Sequence, residues 1–169
     1  MQQYDYASPG AYFITICIHD RLCLLGEIRE EVLHLNPAGE MVERWWAELS
    51  NKFPIILLDA HVVMPNHFHG ILHIQGTDPR EPDNAITLGE IVGWFKTMTT
   101  NEYIRGVKHF NWPRFEKYFW QRNYWEHVVR NARSLECIRR YIELNPRHWA
   151  DDIDNPDPEW IEARFGRPL

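Results

Sequence analysis

The sequence predicts an α+β domain, a ferredoxin-like or RRM-like antiparallel sheet covered by helices. Two observations point there. Its segments run strand, helix, two hairpin strands, helix, strand, helix, an order that suits a single sheet with helices packed on it. At 169 residues, with 44% hydrophobic and 25% charged residues, the chain has the size and apolar content of one domain with a sizeable core. That composition excludes a disordered, collagen-like or coiled-coil chain. Residues 1–150 are assigned to this domain and residues 151–169 to an acidic C-terminal tail, in which Trp160, Ile161 and Phe165 are candidate anchors.

The first strand is AYFITICI, Ala11 to Ile18, rich in aromatic and β-branched residues and preceded by the turn pair Pro9 and Gly10. An irregular stretch follows. Asn36 and Pro37 then open a helix in which Met41, Val42, Trp45, Trp46 and Leu49 recur at helical spacing, ending before Pro54. Ile55 to Met64 and His67 to Gln75 read as strands joined by Pro65 and Asn66, a β-hairpin. Gln75 to Asn84 is a polar surface loop. Thr87 with Glu90 three residues later is a capping pair for a second helix, whose apolar stripe is Leu88, Ile91, Val92, Phe95 and Met98. Phe119 to Val129 has strand propensity, and Leu135, Ile138 and Ile142 mark a last helix ending near Pro146.

No apolar run is long enough to span a membrane, and the N-terminus lacks the pattern of an export signal, so a soluble, cytoplasmic protein is expected. Three cysteines, Cys17, Cys23 and Cys137, with no CxxC pair argue against a disulfide scaffold or a cysteine zinc knuckle. The net charge of −6 speaks against a nucleic-acid partner, but the average hides a strong asymmetry. Between Lys96 and Trp149 eleven basic residues face five acidic ones, leaving that segment at +6 and the rest at −12. Screening limits the reach of a charge to about 8 Å, so the local balance decides phosphate binding.

Chemistry concentrates on the hairpin. Residues two apart on a strand share a face, so His67, His69, Ile71 and His73 lie on one side while Phe68, Leu72 and Ile74 form the core side. His67 and His69 therefore converge, either as ligands of a divalent metal or as structural histidines on a half-buried strand. Two ligands do not complete a metal site, and the last helix offers a third. Tyr141 and Asn145, four apart, stack on one helical face: Asn145 carries an oxygen ligand and Tyr141 a phenol that a metal and phosphate can turn into a nucleophile. The same two residues also fit plain packing and helix termination. Tyr124 is a rival nucleophile, more readily read as packing or base stacking among Trp120 and Trp125.

Two stretches carry a family likeness. VVMPNHFHGILHI, with its His-hydrophobic-His triplet, resembles the HUH motif of single-tyrosine DNA transposases. FWQRNYWEHVVRNARSLECIRRYIELNP resembles the C-terminal signature of the same family, especially its REP-associated tyrosine transposase branch, and the likeness runs from about Tyr12 to Trp149. The resemblance implies the HUH transposase fold, with Tyr141 as nucleophile and His67, His69 and Asn145 holding Mg²⁺ or Mn²⁺. It further implies cleavage and rejoining of single-stranded or hairpin DNA through a 5′-phosphotyrosine, by a chain that acts as a monomer or a homodimer. No GxxxxGK[ST] nucleotide loop is present, in keeping with strand transfer that needs no ATP.

Arg114, Lys117, Arg122 and Arg130 are the candidates for phosphate contact, while Trp112, Phe119, Trp120, Tyr124 and Trp125 either stack on bases or pack the core. Two other readings compete. A catalytically inert single-stranded nucleic-acid-binding module would keep the fold and lose nothing on Tyr141→Phe. A histidine metallohydrolase that activates water would retain turnover in the same variant, although HExxH is absent.

Overall fold

The computed structural model describes residues 9–76 and 85–152. The expected surface loop lies beyond the described residues from position 77 to 84, and the expected tail and its three anchors from position 153 onward. The chain order is β1 (Gly10–Cys17), β2 (Gly26–Arg29), β3 (Val32–Leu35), α1 (Pro37–Lys52), β4 (Ile56–Val63), β5 (His67–Ile74), α2 (Leu88–His109), β6 (Trp125–Val129) and α3 (Ala132–Leu144), followed by a 3₁₀ segment, Asn145–Asp151.

Four strands form one antiparallel sheet in the order β4-β5-β1-β6, the arrangement expected of a ferredoxin-like chain, in which the first strand lies between the last two to be added. The expected α+β class, a sheet covered by helices, is what the chain adopts. Two local expectations need correction. The stretch before α1 is not irregular throughout, since β2 and β3 pair as a small separate hairpin turning through Glu30 and Glu31, both at positive φ. The final strand is only Trp125–Val129, because Phe119 and Trp120 turn inward to the core, leaving a lone bridge between Ile18 and Trp120. β-propensity there reflected bulk and apolarity, which a buried loop satisfies equally well.

The sheet is covered on both faces. On one, α1 and α2 bury Met41, Trp46, Leu49, Ile91 and Phe95 against Tyr12, Ile14, Ile16, Phe68, Leu72 and Ile74. The other face carries a smaller cluster, Phe13, Ile71 and Ile142, with Leu135 and Ile138 of α3 packed against it. Asn36 caps α1, accepting from Ala38 N at 2.9 Å and Gly39 N at 3.0 Å, and Thr87 and Glu90 form the reciprocal box that opens α2. Among the described residues no helix is long and apolar enough to cross a membrane.

Gly39 is required by a close approach. A Cβ there would sit 2.1 Å from the backbone carbonyl oxygen of Leu25, which itself accepts from Asn36 N, so neither partner can yield without disturbing the cap of α1. Gly93, also helical, has open space around it. Gly39→Ala is expected to destabilise by roughly 2 to 3 kcal/mol as overpacking, while Gly93→Ala stabilises by about 1 kcal/mol through helix propensity. Thermal unfolding of the two variants should therefore move in opposite directions from wild type.

Candidate active site

Sheet register builds the site. Across the face opposite α1 and α2, Trp125 of β6 pairs with Thr15 of β1, which pairs with His69 of β5, so the three form one transverse row. His67 lies two residues along, opposite Cys17. Both histidines are buried, at 0% and 4% exposure, with ring centroids 4.6 Å apart.

Each ring is fixed by a neighbour. Asn66 donates from Nδ2 to the carbonyl of Arg21 at 3.0 Å, which turns its Oδ1 toward His67 Nδ1 at 2.9 Å. An amide oxygen only accepts, so Nδ1 of His67 carries a proton and Nε2 is the ring nitrogen left to face the site. Thr15 Oγ1 lies 2.8 Å from His69 Nδ1 and orients that ring in the same way. Burial, and then the nearby His67 charge, holds the pKa of His69 well below the usual imidazole range, so this ring is neutral at physiological pH.

α3 supplies the phenol. Its apolar stripe of Leu135, Ile138 and Ile142 faces the sheet, leaving Tyr141 half exposed with its hydroxyl 3.4 Å from His69 Nε2. The rings of Tyr141 and His69 meet edge-on at 5.3 Å, and Phe13 meets Tyr141 edge-on at 6.1 Å. Asn145 follows α3 in helical conformation, φ −54° and ψ −43°, so it remains one turn beyond Tyr141. It is 3% exposed, and its Oδ1 is buried with no hydrogen-bond partner among the described residues. Thus His67, His69, Tyr141 and Asn145 come from one sheet face and the helical segment packed on it.

A divalent cation can be tested against these donors. A buried carbonyl oxygen without a partner costs about 1 to 3 kcal/mol, and as a neutral oxygen donor it suits Mg²⁺ or Mn²⁺. Among the described residues no group of three or more His, Cys, Asp or Glu side chains is arranged to hold a metal ion, so a shell here needs the amide or phosphate oxygens from a substrate. The sequence reading passed over one further donor. Asp152, in the segment set aside as a tail, places Oδ2 3.9 Å from His67 Nε2, with only 11% of its side chain exposed, and Trp149 lies against the same ring at 6.1 Å. A neutral His67 would set its lone pair against that carboxylate; a proton or a cation between them resolves the conflict.

The candidate phosphate contacts fall elsewhere. Arg114, Lys117, Arg122 and Arg130 are all exposed. Lys117 and Arg122 border a hollow beside α2, whereas Arg130 borders one that shares His127 and Ser134 with the cavity next to Tyr141. Arg133, not singled out from the sequence, lines the Tyr141 cavity itself. Among the aromatics, Phe119 and Trp120 are buried, Trp112 and Tyr124 pack against the same large core, and Trp125 is exposed beside Tyr141. Tyr124 is thereby set apart from the histidines, its hydroxyl lying near Gly89 at the start of α2.

One ion pair ties the tyrosine helix to the sheet. Arg139 donates from Nε and Nη2 to the two oxygens of Asp59 at 2.9 and 2.7 Å, and His73 Nε2 lies 2.9 Å from the same carboxylate. Arg139 first, with help from His73, holds the Asp59 carboxyl well below the usual carboxylate range. A depressed folded pKa stabilises above the unfolded value of about 3.9, and that contribution is lost as pH falls below it. Asp59→Asn should therefore lower the unfolding midpoint by about 3 to 6 °C at pH 7, with the gap from wild type narrowing at pH 3. A gap that does not change between the two pH values would remove the ion pair as its source.

The chain is similar to transposases. The family model for IS200-like transposases matches residues 17–145. An uncharacterized protein of Haemophilus influenzae is 34% identical over 166 residues, covering 90% of this chain and 88% of its own length. A second protein of that organism, named as a REP-associated tyrosine transposase, is 25% identical over 98% of this chain and 85% of its own length. Among solved structures, a REP-associated tyrosine transposase bound to a REP hairpin superimposes with a TM-score of 0.61 at 22% identity, covering 99% of this chain and 89% of that one. A protein of Deinococcus radiodurans R1 described as a transposase gives 0.53 at 16% identity, over 85% and 95%. At these identities the two structures speak to the fold alone.

Proposed function

Because the chain belongs to the IS200-like transposase family, we propose that it cleaves and rejoins single-stranded, hairpin-containing DNA through a 5′-phosphotyrosine at Tyr141. The observation that carries this reading is the half-exposed Tyr141 hydroxyl standing over the buried His67 and His69 pair, with the unpartnered Asn145 oxygen one turn beyond.

In this reading Tyr141 Oη bonds to the scissile phosphorus while the bond to the 3′ oxygen breaks. The products are a phosphotyrosine on the 5′ end and a free 3′ hydroxyl, and the proton lost by the phenol is balanced by the one gained at the 3′ oxygen. A free phenol has a pKa of about 10, so attack at neutral pH needs help. Mg²⁺ or Mn²⁺ held by His67, His69 and Asn145 would supply it, polarising the phosphate and stabilising the charge that develops there. Asp152 is added to these as an outer or fourth donor on the strength of its approach to His67.

The rest of the site acts by positioning. Asn66 and Thr15 hold each imidazole with Nε2 facing the reaction space, and Arg139 with Asp59 fixes the helix that carries the phenol. Arg130 and Arg133 are best placed to meet strand phosphates near the reacting atom, with Arg114, Lys117 and Arg122 contacting DNA farther along.

The test is incubation with labelled single-stranded DNA from the palindromic ends flanking its own gene, with Mn²⁺ or Mg²⁺, then a denaturing gel and peptide mass spectrometry. The expected result is a metal-dependent adduct mapped to the peptide that contains Tyr141. Binding without any adduct would favour the inert binding module, and cleavage without an adduct a water-activating hydrolase.

A further inference from the structure

Beside Tyr141 lies a cavity of about 870 Å³, within the roughly 300 to 1,000 Å³ of small-ligand sites. Aromatic rings make up half of its lining, among them Phe13, Trp125, His127 and Tyr141, and the start of α3 contributes Arg133 and Ser134. We propose that this cavity seats one unpaired nucleobase of the substrate strand, next to the phosphate that Tyr141 attacks, with the base stacked on Trp125. The inference rests on the reading of Tyr141 as the residue that meets DNA, and it adds to that reading where the neighbouring base goes.

Four features argue for it. Trp125 is 54% exposed although it is a large apolar ring, so about half of its surface is left uncovered by the described residues. His127, two residues along the same face of β6, holds its ring parallel to Trp125 within 5° at a centroid distance of 5.9 Å, so the two present one aligned aromatic strip. Phe13 forms the floor, at 6% exposure, and meets Trp125 edge-on at 5.6 Å and Tyr141 edge-on at 6.1 Å, which keeps the two exposed rings on either side of the opening. The transverse row from Trp125 through Thr15 to His69 places this wall two strands away from the imidazole beneath the phenol, on the order of 10 Å by strand spacing.

The chemistry of the walls selects a planar, π-bearing ligand tethered to a phosphate. Arg133 brings positive charge to a lining otherwise suited to stacking, and the chain around it is the basic segment of the molecule. An uncharged apolar metabolite would have no use for the guanidinium or for the adjacent phenol. Stacking on Trp125 favours the larger ring system, so a preference for purines over pyrimidines is expected.

The experiment compares three fluorescently labelled single strands of equal length, built of deoxyadenosine, deoxythymidine or abasic tetrahydrofuran units, titrated without metal into wild type, Trp125→Ala and Trp125→Phe. In wild type the base-bearing strands should bind more tightly than the abasic strand, deoxyadenosine most of all. Trp125→Ala should weaken the base-bearing strands about 5- to 100-fold, leave the abasic strand within about twofold, and be largely rescued by Trp125→Phe. An equal loss for all three strands, or no loss for any, overturns the base seat. Far-UV circular dichroism of Trp125→Ala is expected to match wild type, since the side chain is half exposed. Failure of the underlying reading is seen separately: a chain that forms no covalent adduct yet keeps the base-dependent effect of Trp125 loses the transposase mechanism alone, and one that forms the adduct but ignores Trp125 loses the base seat alone.

Discussion

Tyr141→Phe is expected to abolish the covalent protein–DNA adduct, a fall of at least about 10³-fold, while DNA affinity stays within about threefold of wild type. The substitution removes one oxygen and keeps the ring. Phe retains the edge-on contacts with Phe13 and His69, and the helix remains docked through Ile142 and the Arg139–Asp59 pair, so the site loses its nucleophile without losing its shape. The contact given up is a 3.4 Å approach to His69 by a half-exposed group, so thermal stability should change by less than about 1 kcal/mol. The other described tyrosines lie elsewhere: Tyr12 is buried in the large core, Tyr103 donates from within it to the carbonyl of Pro113, Tyr124 packs against it, and Tyr118 borders the hollow beside α2. A denaturing gel on the variant, paired with anisotropy on the same DNA, separates chemistry from binding. Cleavage that persists in Tyr141→Phe would mean that water attacks instead.

Why the fold and part of the site were legible follows from how each is encoded. Period-2 alternation on β5 assigned His67 and His69 to one face and Phe68, Leu72 and Ile74 to the other, and the observed clusters divide along that line. Helix caps at Asn36 and Thr87 are local signals, readable within four residues. What escaped was non-local. Thr15 and Asp59 meet His69 and Arg139 only once the sheet and α3 have assembled, across 54 and 80 residues of chain. Asp152 looked like the start of an acidic tail because nothing in its own neighbourhood announces a partner 85 residues earlier. The small β2–β3 hairpin was missed for a different reason: its turn uses Glu30 and Glu31 at positive φ, where Asn or Gly is the usual marker. Trp125 could be named as a candidate for stacking, but not told apart from Phe119 and Trp120, since bulk and aromaticity are the same whether a ring faces the core or the solvent.

Loss of the histidine pair is the second large effect. His69→Ala and His67→Ala should each reduce adduct formation at least about 10³-fold, and Asn145→Ala by about 10- to 100-fold, because an amide is the weaker donor and phosphate or water oxygens replace it more readily. Activity alone would not show that a cation is what these residues hold, since each is also buried and His67→Ala strands the oxygen of Asn66. Thermal unfolding with and without Mn²⁺ supplies the independent readout. A ligand at 100 times its Kd adds about 2.7 kcal/mol to the native state, or about 5 to 10 °C for a chain of this size. That rise should be present in wild type and in Tyr141→Phe, absent in His69→Ala, and smaller in Asn145→Ala; an undiminished rise in His69→Ala would put the cation elsewhere. Asp152→Asn then decides what faces His67. If the carboxylate is a donor to the cation, the Mn²⁺-dependent rise falls with it. If the carboxylate instead pairs with a protonated His67, a cation must displace that proton, and neutralising Asp152 leaves the rise intact or enlarges it.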